Sequence, residues 1–157
     1  MKITTTTFVK VLQNKNLRLF NFIVSHITNG FSGLLESFDK FSNGTIIIFN
    51  DSAQILSKIT DKYPDLKSTE DVINCLKENP SLFLKIRSFL LYHISQYQNI
   101  TSSVLNVPSL DGELLSLSMD TVNDHRVLRI IKLQNNTLVY IIDSILVPPS
   151  FQQEWVI

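Results

Sequence analysis

The chain has a single cysteine, Cys75, so it can form no intrachain disulfide and no cysteine-based metal cluster. Cys75 sits in Val72-Ile73-Asn74-Cys75-Leu76 and reads as a core residue of a helix. Glycine and proline are scarce, at 4 and 5 residues, which excludes a disordered or low-complexity chain. No glycine-rich phosphate loop and no nucleophile elbow is present. Neither sign of charge dominates: 14 Lys plus Arg offset 14 Asp plus Glu, against binding of nucleic acid by phosphate neutralisation. Arg126, Arg129 and Lys132 fall at strand spacing and read as one solvated face. No stretch approaches the roughly 18 apolar residues that cross a bilayer. The start, Met1-Lys2-Ile3 followed by threonines, lacks the apolar core of a signal peptide. The three histidines, His26, His93 and His125, have no second histidine at ligand spacing.

What is there is apolar and patterned. At 157 residues and 44% hydrophobic, the chain is one domain able to bury about two-thirds of its unfolded surface. The most strand-like run is Thr137 to Val147: Leu138–Ile142 is apolar throughout, preceded by the turn residues Asn135-Asn136 and stopped by Pro148-Pro149. It reads as a strand buried on both faces. Thr45-Ile46-Ile47-Ile48-Phe49 is a second central strand.

Helical spacing predicts a short helix from Phe8, a second through Leu17, Phe20, Ile23, Val24 and Ile27, and a third through Phe31, Leu34, Leu35 and Phe38. Asn50-Asp51-Ser52 is expected to cap a helix over Ala53–Ile59. Ser68 and Asp71 open another in capping-box fashion, and Pro80 starts one carrying Leu82, Phe83, Ile86, Phe89 and Leu90 inward. After Gln96 the period changes to two. Ser103–Pro108 reads as an irregular crossing, Asp111-Gly112 as a turn, Leu115 and Leu117 as a strand, and Asp120–His125 as a polar connection. Val127–Leu133 is a further strand. Helices first, then an antiparallel meander closing on the Thr45 strand, make an α+β domain.

Chemistry is sparse. Asp120, Asp124 and His125 share a polar loop and read as solvated; His26 reads as partly buried scaffold. His93 follows an apolar helix, and Asp143 is the one acid in the core run. A buried imidazole needs a partner, and so does a buried carboxylate. Either His93 and Asp143 satisfy each other, or His93 finds a backbone carbonyl. No nucleophile accompanies them, so no catalytic residue, metal or cofactor is expected.

Three stretches in order resemble the fasciclin domain. Thr45–Gln54 resembles its first signature, Leu90-Leu91-Tyr92-His93-Ile94 its central Tyr-His motif, and Asn136–Pro149 its second, with Asn136, Ile142-Asp143 and Pro148-Pro149 in register. The resemblance covers about residues 8–149, leaving 1–7 as an extension and 150–157 as a tail or linker. It implies a wedge of two β-sheets with a layer of N-terminal and central helices, usually in tandem copies, non-enzymatic, and secreted or membrane-anchored. Such domains act in adhesion at the cell surface or face a vacuole lumen. Phe49, Gln54, Thr137 and Tyr140 depart from the family pattern without breaking its burial. Where the integrin-recognition segment would fall, the chain reads Arg129-Ile130-Ile131-Lys132-Leu133 without its acid, so that route is not supported.

The expectation is therefore a protein-binding or self-associating module of a longer secretory-pathway glycoprotein, reaching membrane only through other parts of its parent. Sequons at Asn43, Asn50, Asn99 and Asn135 are candidate glycosylation sites, and Phe151 and Trp155 a candidate contact surface. The competing expectation is a binding domain holding a lipid or other apolar molecule between helices and sheet.

Overall fold

The computed structural model describes residues 5–6, 8–25, 43–51, 66–134 and 136–150. The expected helices over Phe31–Phe38 and Ala53–Ile59, and with them His26, Asn135, Phe151 and Trp155, lie outside the described residues. The fold is α+β: helices pack on one face of a mixed sheet.

The strands run β3 (Ile94–Ser95), β2 (Thr45–Phe49), β8 (Leu138–Ile142), β7 (His125–Leu133), β6 (Thr121–Val122), β5 (Leu114–Leu117) and β4 (Leu105–Pro108) across the sheet. Strand β8 (Leu138–Ile142) lies between β2 (Thr45–Phe49) and β7 (His125–Leu133). All five residues of β8 and all five of β2 are buried. The reason is alternation between two apolar surroundings. Val139 and Ile141 of β8 join Ile46 and Ile48 of β2 and Ile131 and Leu133 of β7 on the helix side. Leu138, Tyr140 and Ile142 join Ile47, Val127 and Ile130 on the other side. The β8–β2 pair is parallel, Thr45 opposite Leu138 through Phe49 opposite Ile142, so the meander does not close in antiparallel fashion as expected. Hydrogen bonds from Leu138 N to Gly44 O and from Asn50 N to Ile142 O extend this ladder at both ends.

Strand β7 is long enough to serve two neighbours. Its first residues pair with β6 (Thr121–Val122) and the rest with β8, with a register shift between Val127 and Arg129. The turn Asn123-Asp124 has positive φ at both residues (49° and 68°), the geometry of a two-residue hairpin loop. The Asp120–His125 connection is thus a tight hairpin. Strand β5 (Leu114–Leu117) continues to β4 (Leu105–Pro108), where an irregular crossing was expected. Ser109 N donates to Glu113 O, so alternation of the ladder points the free edges of Asn106 and Pro108 outward. Proline has no N–H to lose there, and it blunts the edge. The two ends of the sheet then meet. Ser95 of β3 (Ile94–Ser95) bridges Ser109, Leu110 N donates to Ile94 O and Ser95 Oγ to Pro108 O. The sheet closes around the second apolar cluster.

Strand β1 (Thr5–Thr6) pairs in parallel with Lys132–Leu133, which brings part of the expected 1–7 extension into the sheet. β-branched threonines suit that role. Helix α1 (Phe8–Leu12) leads through a 3-10 turn, Lys15–Leu17, into α2 (Arg18–Ser25). Asp51 accepts from Leu19 N at 2.8 Å and so caps α2 across the fold; the helix it was expected to cap lies outside the described residues. In α3 (Thr69–Glu78), Ser68 Oγ accepts from Asp71 N. Asp71 is one methylene shorter than the usual Glu and takes the N–H of Lys67 rather than that of Ser68. Helix α4 (Pro80–Ser88) starts on Pro80 and tightens into a 3-10 turn, Phe89–His93, that feeds β3.

Ile48→Ala, which empties a fully buried site on the helix side of β2, is expected to cost about 2–5 kcal/mol in urea unfolding. Leu128→Ala, at a largely exposed position beside the β7 register shift, is expected to stay within about 0.5 kcal/mol.

Candidate functional site

The residue with the most distinctive surroundings is His93, at the end of the 3-10 turn and 1% exposed. Its Nδ1 lies 2.8 Å from Phe89 O, and its Nε2 accepts from Leu146 N at 3.0 Å. A carbonyl can only accept, so Nδ1 carries the proton and Nε2 keeps its lone pair. Both nitrogens are spent on backbone groups, leaving none for acid–base work. Burial lowers the pKa from 6.5 to about 4, against the opposing effects of the Phe89 carbonyl and of Asp111. The ring packs edge-on against Phe49 of β2.

Asp143 is not its partner. The strand ends at Ile142 and the chain turns, putting Asp143 in solvent, where a carboxylate avoids the desolvation it would suffer in the core. Its Oδ1 sits 3.9 Å from Nδ1 of His125, too far for a hydrogen bond. Of the two partners open to His93, it has the backbone carbonyl, joined by an amide that the sequence did not reveal. Tyr92 is buried alongside, its hydroxyl donating to Leu114 O and accepting from Asn123 Nδ2. Asn136 adopts a left-handed conformation (φ 68°) in the β7–β8 turn. Pro148 is buried and Pro149 exposed.

Beside this node lies an open cleft of about 180 Å³, lined by Lys85, Ser88, Phe89, Asp111, Glu113, Pro148 and Ser150. Ser150 N donates to Glu113 Oε1 at 2.8 Å. Asp111 takes the N–H of Glu113 and the hydroxyl of Ser109, and Gly112 supplies the positive φ (92°) of the turn.

The opposite end of the closed sheet is sealed by the loop 97–103. Gln98 Nε2 donates to Gly44 O and Asn136 O, tying β2 to the β7–β8 turn. Thr45 Oγ1 donates to Tyr97 O. The Asn99 amide, 4% exposed, donates to Ser103 O and Leu117 O at 2.7 and 2.6 Å, and its Oδ1 accepts from Thr101. Tyr140 reaches from inside the sheet to Asn99 O, and burial pushes its hydroxyl up to about 12. Outside this sealed end, Tyr97, Ile100, Val104 and Leu105 are 52–59% exposed. Nothing in the alternation of the sequence marked Gln98, Asn99 or these apolar side chains.

Of the sequons, Asn99 has its side-chain nitrogen enclosed and already donating twice. Asn43 is exposed and Asn50 half-buried. Arg126 and Arg129 are exposed and Lys132 half-buried. Among the described residues no group of three His, Cys, Asp or Glu could hold a metal ion, and Asp120, Asp124 and His125 form no such set. No helix among them is long and apolar enough to cross a membrane. The interior of the closed sheet holds an apolar cluster of strand residues joined by Tyr92 and Leu146. No protein-family model matches the chain, and no curated protein matches it.

Two outcomes follow. Between pH 6.5 and about 4 the unfolded chain protonates its imidazole while the folded chain does not. Stability is therefore full above pH 6.5 and is expected to fall by about 3 kcal/mol as pH drops through this window. Urea titrations across pH read this, and His93→Gln should remove that slope. Asn99→Asp sets a carboxylate against two carbonyls and is expected to cost at least about 2 kcal/mol by the same assay.

Proposed function

We propose that this chain is a non-catalytic interaction module of the fasciclin type, a wedge of two β-sheets under a helical layer, that docks on a protein partner or on a second copy of itself. The three signature-like stretches support the family reading by their meeting in space. The Thr45 strand lies beside β8, and the Tyr92-His93 pair is tied to Leu146 of the third stretch. The reading puts the module in the secretory pathway, at a cell surface or facing a vacuole lumen, with Asn43 the exposed candidate for a glycan.

The observation that carries the interaction reading is the apolar set Tyr97, Ile100, Val104 and Leu105. Four large side chains within nine residues stand more than half exposed, at 54, 59, 56 and 52%. Single exposed apolar residues are ordinary, but four within nine residues, on a firmly held loop and the start of β4, favour a contact surface. The loop is held: Gln98, Asn99 and Thr101 each bond to backbone around it. A preformed loop loses little entropy on docking.

Beads coated with the chain are expected to cluster or to capture cells. The triple variant Ile100→Ser, Val104→Ser, Leu105→Ser should lower that capture about tenfold or more with its folded circular-dichroism spectrum kept. Full capture by a folded triple variant, or none by the wild type, contradicts the reading.

A further inference from the structure

The segment that follows β8, Asp143–Ser150, is outside regular structure, yet it packs into both apolar clusters, Ile145 on the helix side and Leu146 in the sheet interior. Ile145 and Leu146 are each 1% exposed there. Side chains from two other parts of the chain hold its backbone: His93 Nε2 takes the N–H of Leu146, and Glu113 Oε1 takes that of Ser150. The first tether works only while Nε2 keeps its lone pair, because Nδ1 is committed to Phe89 O.

We propose that His93 and the Asp143–Ser150 segment form an acid-opened latch, in which a proton on Nε2 faces the Leu146 N–H with a second donor, lifts the segment and uncovers Ile145 and Leu146. Two donors cannot share a hydrogen bond, and a buried imidazolium without a carboxylate partner is costly. Among the described residues, the surroundings supply no close counter-ion. Asp111, in the β4–β5 turn, is the charge whose field reaches the ring, and it favours the protonated form. Strand β2 presents the ring of Phe49. The 3-10 turn presents Tyr92, whose hydroxyl is tied to Leu114 and Asn123. Lys85 and Glu113 line the neighbouring cleft with Phe89 and Asp111, and Asp143 lies beside His125. Among the described residues, no acid is hydrogen-bonded to the ring.

The closed latch keeps the imidazole neutral to about pH 4, whereas a lifted segment returns it toward 6.5. The opening constant therefore rises about 30-fold between pH 7.5 and pH 5. The latch stands on this geometry and not on the interaction reading.

Native-state hydrogen exchange on the whole chain, with low urea added, tests it. The Leu146 amide is expected to exchange through an opening with little urea dependence, below global unfolding as reported by the Tyr140 amide. After correction for intrinsic rates, that opening should grow about 30-fold from pH 7.5 to 5. Glu113→Gln should leave this increase intact, and His93→Gln should abolish it. The latch is overturned if Leu146 exchanges only together with Tyr140 at both pH values. It is equally overturned if Glu113→Gln removes the pH dependence, or if a folded His93→Gln variant retains it. Should His93→Gln fail to fold, the wild-type and Glu113→Gln measurements decide alone.

Discussion

Strand β8 has no side that faces water, and the rest of the structure answers to that constraint. Val139 and Ile141 need a helical layer over them, while Leu138, Tyr140 and Ile142 need a second wall on the other side. A flat sheet would supply only one. The sheet therefore curls until Ser95 meets Ser109, and its inner face becomes the second core. The parallel partner β2 and the antiparallel partner β7 alternate in the same way, so three adjacent strands feed both cores. One strand shared by two apolar clusters couples them, because a slip of one residue would exchange the contents of both.

Closing a sheet creates two ends where backbone groups lose their neighbours, and this chain fills both with polar side chains that bond to backbone. Gln98, Asn99, Thr45 and Tyr140 seal one end; His93 and Tyr92 seal the other. Among the described residues, no buried side-chain nitrogen or oxygen lacks a hydrogen-bond partner. In a low dielectric such a network is firm while satisfied and costly when one member changes its charge. His93 is the member whose charge changes within the ordinary pH range, which gives one end of the domain a pH response that the Asn99 end does not share.

The elements that were legible from sequence are those whose periodicity is strong. The two buried strands, the Ser68 cap, the Pro80 start and the Asp111-Gly112 turn all follow from local chemistry. What escaped was set by distant partners. Asp51 has capping chemistry, and the sequence did not show that it serves a helix 32 residues back in the chain. Asp143 looked internal because apolar residues flank it on both sides; the strand ends one residue earlier, and the turn carries it to solvent. Leu105–Pro108 read as a crossing because of its proline, which an edge strand tolerates where its backbone turns away from β5. Asn99 reads as a sequon and acts as a plug, since the Asn-x-Thr pattern that marks a glycan acceptor also suits an amide closing a loop. For the candidate site, the need of His93 for a partner was legible, with a backbone carbonyl as one of two choices; the Leu146 amide was not.

The central claim is that β8 ties both cores into one cooperative unit. Amide exchange along β8 tests it directly under conditions where the whole chain unfolds reversibly. The account expects the amides of Val139 to Ile142 to be the slowest in the domain and to exchange at the rate of global unfolding, with those of Ile46 to Ile48 alongside. Exchange of β8 through an opening well below global unfolding, or a β2 that opens while β8 stays closed, would contradict it.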